Sequence, residues 1–165
     1  MRELRRCCTF VAVILALRCA ASAQDFKDPL ELSKAVLSAI KQNDRSRLEA
    51  LLISENEFLR FVSPKLKLRN RSVTEFAAFK KASDEALDLL LQQLGGQNWK
   101  ILKTAIFTFG GTGQKPSPNN FFLSGPNVTL ETQDGHQFTM RPIGAILGHD
   151  GIYKVITYST DPKLF

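Results

Sequence analysis

The chain has 165 residues, 22 Lys+Arg against 16 Asp+Glu, a formal charge of +6, and three cysteines, Cys7, Cys8 and Cys19. Residues 1–23 hold every cysteine and four of the arginines against one acid; removing these 23 from 165 leaves 142 residues with 18 cationic and 15 acidic side chains. That remainder can form no disulfide, thiolate nucleophile or cysteine-ligated metal site, and its net +3 is too modest to argue for nucleic acid as a partner.

The first 23 residues read as a signal peptide. Met1-Arg2-Glu3-Leu4-Arg5-Arg6 is a basic start, Cys7 to Leu17 is an apolar run of 11, and Ala21-Ser22-Ala23 offers a small-residue cleavage site. The apolar run falls short of the roughly 20 residues that cross a bilayer. Arg18 before Cys19 argues against lipid attachment. The expectation is a cleaved leader over 1–23, a secreted or periplasmic product beginning at Gln24, and a single domain over 24–165 with no membrane span. A domain of that size buries about two-thirds of its unfolded surface and needs no covalent staples.

Helices come first. Asp28-Pro29 predicts an N-cap followed by proline at the first helical position. Leu32, Ala35, Val36, Ala39 and Ile40 then form one apolar stripe, which Asn43-Asp44 interrupts. A short second helix turns Leu48, Leu51 and Leu52 inward. Ser54 and Glu57 have capping-box spacing and open a third, with Phe58, Leu59 and Val62 buried and Ser63-Pro64 as its end. Thr74 is the expected N-cap of a long fourth helix. Its stripe runs Phe76, Phe79, Ala82, Ala86, Leu87, Leu90 and Leu94, with Ser83 the one polar residue on that face. The small Ser83 hydroxyl can bond back to the carbonyl four residues earlier, so it need not break the stripe. Gly95-Gly96 stops the helix.

Strands follow. Ile101 to Phe109 is rich in β-branched and aromatic residues. Gly110 to Asn120 reads as a flexible hairpin loop; it lacks the Lys-Ser/Thr pair of a phosphate-binding loop. Val128, Leu130 and Thr132 alternate with polar neighbours, and Asp134-Gly135 is a tight turn. Gln137 to Leu147 is expected as one strand whose inward phase shifts at Pro142, which predicts a bulge that bends the sheet. Asp150-Gly151 turns into the last strand, Ile152 to Tyr158. The fold class is therefore α+β: N-terminal helices packed in the concave side of a bent, four-stranded antiparallel sheet.

This order resembles the cystatin-like α+β cone of the nuclear transport factor 2 superfamily. The resemblance rests on the long amphipathic helix, its Gly95-Gly-Gln-Asn-Trp99 exit into a strand, and a terminal hairpin ending Gly151-Ile-Tyr-Lys-Val-Ile-Thr157. It spans about Asp28 to Thr160 and is similar to small exported bacterial members. It implies an apolar pocket between sheet and helices. The chain differs from the ketosteroid-isomerase branch in gathering its helices before the strands.

No catalytic residue is assigned. His136 and His149 are the two histidines, each beside an Asp-Gly turn. An Asp–His general base is one reading of them; the simpler one is that the turns require Asp and Gly and the histidines are polar neighbours at exposed tips. No His-x-His, His-Glu-x-x-His or clustered carboxylate spacing marks a metal site, no cofactor motif is present, and the Gly-x-Ser-x-Gly elbow fails because position 122 is Phe. Ligand binding is easier to support. Trp99, Tyr153 and Tyr158 combine apolar rings with polar handles. Arg141 is a charge in an apolar strand; turned inward, it needs an acid or an anionic ligand. Arg60, Lys65, Lys67, Arg69 and Arg71 form a basic segment that is either a solvated connection or an anion-contacting surface. Asn70-Arg71-Ser72 and Asn127-Val128-Thr129 match the N-glycosylation triplet. Three readings remain: a non-catalytic binding domain with a small apolar or amphipathic ligand; a domain that dimerises through an outer sheet face bearing Leu102, Ile106 and Ile146; and an isomerase- or dehydratase-like enzyme.

Overall fold

A computed structural model describes residues 25–64, 73–108, 120–160 and 162–163. The leader over 1–23, the basic residues Lys65, Lys67, Arg69 and Arg71, the Asn70 triplet and most of the 110–120 loop lie outside these described residues.

Helix α1 spans Pro29–Lys41 and begins as its sequence dictates: Asp28 accepts a hydrogen bond from the Leu30 amide at 2.8 Å. Leu32, Val36, Ala39 and Ile40 are fully buried, joined by Leu37 and by Ser33, whose hydroxyl donates to the Pro29 carbonyl at 2.8 Å. The helix ends in a left-handed residue, Asn43 at φ 54°. The Asp44 amide then reaches the Ala39 carbonyl and the Asn43 amide reaches that of Ile40, both at 2.9 Å, which satisfies two orphaned carbonyls. Asp44 at once caps the next helix, α2 (Arg45–Ala50), by accepting from the Arg47 amide at 3.0 Å. Two adjacent residues thus end one helix and start another.

Ser54 and Glu57 form the expected capping box at the start of α3 (Glu55–Glu57), which continues as a π-helical turn over Phe58–Val62. Helix α4 covers Val73–Leu94. Thr74 lies inside it, one residue past its start, and is not the N-cap. Leu87, Leu90 and Leu94 are buried as the stripe requires, but Ala82 is exposed and Ser83 is the buried residue at that level. Ser83 faces the sheet. Its Oγ accepts from the Tyr158 amide at 3.3 Å, so it ties helix to strand rather than bonding back along its own helix.

The sheet has five antiparallel strands and not four: β1 (Trp99–Thr108), β2 (Asn120–Thr132), β3 (Gln137–Met140), β4 (Ile143–His149) and β5 (Ile152–Tyr158). A two-residue segment, β6 (Pro162–Lys163), adds to β3. The expected strand from Gln137 to Leu147 is broken in two. β3 pairs with the second half of β2, Val128 to Glu131, and β4 with the first half, Asn120 to Ser124. Between the halves, Arg141-Pro142 faces Gly125-Pro126-Asn127. Proline has no amide to offer the ladder on either side, so the pairing lapses where the sheet bends. Gly125 permits the closest approach there: a Cβ on it would lie 1.6 Å from the Ile143 carbonyl oxygen.

Alternation along the strands gives the sheet two buried faces at its β4–β5 end. Leu123, Ile146 and Val155 join α1 and the C-terminal half of α4 in the main core, with Leu130, Ile143 and Trp99. Phe122, Leu147 and Ile156 point the other way, into a smaller core with Ile53, Phe58, Val62, Phe76 and Phe79. Helices therefore cover both faces here, not the concave face alone. The outer edge of β5 is closed as well. The Tyr153 amide donates to the Phe26 carbonyl at 2.8 Å, the Ile53 amide to that of Val155 at 2.9 Å, and the Val155 amide to that of Leu51 at 3.0 Å.

Candidate functional site

The segment that seals the β5 edge also builds one wall of a cleft. Residues 51–53 leave the end of α2 and run along β5, the Ser54–Glu57 box turns them into α3, and the N-terminal half of α4 lies opposite. The space between measures about 450 Å³. Ala50, Leu52, Ile53, Phe76, Phe79 and Ile156 supply its apolar surface, and Glu49, Ser54, Glu57, Lys80, Ser83 and Lys154 its polar groups.

Each charge on these walls already has a partner. Lys154 rises from β5 and donates to Glu57 Oε1 at 2.7 Å; their side chains are 30% and 24% exposed. Glu57 Oε2 accepts from both the amide and the hydroxyl of Ser54 at 2.8 Å. One carboxylate therefore serves as capping group and as the partner of a lysine 97 residues away. Burial pushes the Glu57 carboxyl up, but the hydrogen bonds from Lys154 and Ser54 outweigh it and hold the group below its ordinary value. Lys80 pairs with Asp84 one helical turn on at 2.8 Å, and Glu49 with Arg45 at 2.8 Å; Arg45 also reaches Asp88. The Phe58 ring backs the cleft, 5.4 Å from Phe76 and 4.7 Å from Phe79 between centroids.

None of the four ligand-binding candidates from the sequence lines this cleft. Trp99 and Tyr158 are core residues, each only 3% exposed. The Trp99 indole donates to the Leu94 carbonyl at 3.0 Å, and the Tyr158 hydroxyl to that of Leu48 at 2.7 Å. Both polar handles thus satisfy carbonyls near helix C-termini, which helices leave without intrahelical partners. Lys41 completes the first arrangement, with its ammonium on the Trp99 carbonyl at 2.8 Å and 5.4 Å from the ring centroid. Burial, helped by the nearby Glu49 charge, drives the Tyr158 phenol far above its ordinary value and keeps it a neutral donor. Tyr153 is half-buried and packs edge-on to Phe121 at 5.7 Å. Arg141 is half-buried too, and its Nε donates to Asn127 Oδ1 at 3.3 Å. A neutral amide meets it, neither the acid nor the anion that an inward charge demands. The same bond ties up the Asn127 side chain in the middle of β2.

Arg60 is exposed, with its guanidinium 5.1 Å from the centroid of Phe61; the rest of the basic segment lies outside the described residues. His136 is an exposed turn residue, 3.6 Å from Asp134 with both side chains mostly in solvent. His149 differs from the expected exposed tip. It is 30% exposed, lies 3.2 Å from Asp150 Oδ2, and stacks at 4.1 Å on Phe61. Neither histidine lines the cleft. Ile146 is wholly buried in the main core, so it cannot contribute to an apolar outer face. Leu102 is exposed, and the Ile106 side chain lies outside the described residues. Among the described residues no group of three metal-ligating side chains converges, and no helix is long and apolar enough to cross a membrane.

Sequence reasoning found most parts of the cleft without seeing that they meet. It singled out the Ser54–Glu57 box, the Phe76–Phe79 stripe and Ser83 on the apolar face. It passed over Lys154, a charge between apolar neighbours in β5, although the same signal drew attention to Arg141. Comparisons with protein-family models, curated proteins and solved structures returned no match for this chain.

Proposed function

We propose that this chain is an exported, non-catalytic binding domain of the nuclear transport factor 2-like type, which holds a small apolar or amphipathic ligand in the cleft between residues 49–57, α4 and β5. The bent antiparallel sheet with a long helix against it supports the family reading. The single observation that carries the site is a cleft of about 450 Å³ with two phenylalanines and four aliphatic side chains on its walls. That volume is within the range of pockets that take small organic ligands.

The cleft's chemistry favours holding over turnover. A general base works best with a pKa near the operating pH. Glu57 is moved the wrong way for that task, because its three hydrogen bonds favour the ionised form. The histidines, the usual proton carriers near neutrality, sit elsewhere.

Native mass spectrometry of the mature protein, isolated gently from its own host, tests the reading. An added mass that denaturation removes is expected, and N-terminal sequencing of the same sample is expected to begin at Gln24. Ala50 is exposed and lines the cleft, so Ala50→Trp places a large ring there at little cost to folding. The added mass disappears in that variant. A bare wild-type mass, or an adduct that survives the blocking ring, refutes the site.

A further inference from the structure

We infer that the occupant of this cleft is an uncharged molecule with an apolar body and one hydrogen-bond acceptor, which meets the Ser83 hydroxyl. The inference rests on the cleft reading above and specifies what that cleft selects.

Charge is the first consideration. Lys80 and Lys154 line the cleft, but so do Glu49 and Glu57, and the four formal charges cancel. An anion drawn to the lysines faces two carboxylates on the same walls; a cation drawn to the carboxylates faces two ammonium groups. Either ion also competes with a partner already in place. Glu57 is the most committed, with Lys154 at 2.7 Å and two Ser54 donors at 2.8 Å. To free Lys154 for a ligand would leave a half-buried carboxylate without its counter-charge, and breaking such a pair costs more than its formation contributes.

Ser83 is the second consideration. It is 1% exposed and lines the cleft. Its Oγ accepts from the Tyr158 amide at 3.3 Å, and among the described residues that is its only hydrogen bond. A hydroxyl both donates and accepts. The donor half of Ser83 is therefore uncommitted, at a position where leaving a polar group unmet is costly. Phe79 precedes it by one helical turn on the same wall, with Ile156 from β5 nearby, so an acceptor placed on Ser83 leaves the rest of its molecule among apolar side chains.

Four probes of matched length separate the possibilities by NMR titration of the backbone amides at pH 7 and physiological salt: 1-phenyl-1-hexanone, hexylbenzene, 6-phenylhexanoate and 6-phenylhexylammonium. The ketone is expected to bind about fivefold tighter than the hydrocarbon, the worth of one net hydrogen bond, and tighter than either ion. Ser83→Ala is expected to reduce the ketone to the level of the hydrocarbon. That variant also deprives the Tyr158 amide of its acceptor; if it does not fold, the wild-type comparison of ketone with hydrocarbon decides alone. Equal or tighter binding by either ion, or no advantage for the ketone, overturns the ligand class. In the first of those cases, shifts at Phe79, Lys80 and Lys154 show that the cleft itself still binds. If no probe moves the cleft amides, cleft and ligand class both fall.

Discussion

Gly125 sits where β2 and β4 come closest, and Gly125→Ala is expected to damage the sheet well beyond the ordinary cost of a methyl group. A Cβ at this position lies 1.6 Å from the Ile143 carbonyl oxygen and 2.4 Å from its carbon. Ordinary contact starts at 3.4 Å, so the two backbones must separate by about 1.8 Å, and no side-chain rotation can relieve a clash with main chain. The strands share register from Asn120↔His149 to Ser124↔Ala145. Opening the end next to Gly125 sacrifices about two backbone hydrogen bonds at roughly 0.5–1.5 kcal/mol each. Overpacking strain between Leu123 and Ile146 adds about 1–3 kcal/mol. The expected loss is about 2–6 kcal/mol, a large share of the 5–15 kcal/mol typical of a whole domain. At about 2–4 °C per kcal/mol for a chain of this size, Tm should fall by roughly 4–24 °C. Gly135→Ala is the control. Its φ of 85° strains any side chain, yet nothing lies within 4 Å of the added methyl. That strain alone costs about 1–2 kcal/mol. Thermal and urea denaturation followed by circular dichroism compare the two. A Gly125→Ala protein no less stable than Gly135→Ala would refute the claim that backbone approach at the bend holds the sheet's shape.

Two further perturbations address Glu57 on the cleft wall and Tyr158 in the main core. Glu57→Gln is expected to cost about 1–2 kcal/mol at pH 7, discounted for the partial exposure of the Lys154 pair. Because the folded state lowers the Glu57 pKa, its stabilising contribution is complete above the ordinary value of 4.5 and is lost as pH falls through the lower folded value. The gap between wild type and variant should therefore close toward acid in urea titrations; a gap equal at pH 3 and pH 7 contradicts the assignment. Tyr158→Phe leaves the Leu48 carbonyl without its 2.7 Å donor and is expected to cost about 1–3 kcal/mol. The folded state raises the Tyr158 pKa, so that stability is complete below pH about 10 and drains above it as the unfolded chain ionises. The alkaline limb of the wild type should be shallower in the variant, and an unchanged limb would show that the phenol is not buried as described.

Local physics decided much of the architecture. Asp28, Asn43-Asp44 and the Ser54–Glu57 box cap or stop helices through bonds to backbone a few residues away, so the sequence alone suffices to place them. The same holds for Asp134-Gly135 and Asp150-Gly151, where positive φ is required at Gly135, Asp150 and Gly151. Pro142 announced the bend for a similar reason, because a residue without an amide hydrogen cannot continue a ladder. What lay beyond the sequence were the long-range pairings. Whether the bend leaves one strand or two depends on Gly125-Pro126 across from it. The aromatic handles of Trp99 and Tyr158 were legible as needing partners, but only packing showed that those partners are carbonyls near helix ends rather than a ligand. Ser83 was visible as a polar residue on an apolar stripe; its acceptor role required Tyr158 to arrive 75 residues later. The cleft is the clearest case. Its capping box, its aromatic stripe and Lys154 are separate local signals, and they become one site only because residues 51–53 bond to the edge of β5. Hydrophobic periodicity says that a face will be buried, but hydrogen bonds between distant segments determine what it is buried against.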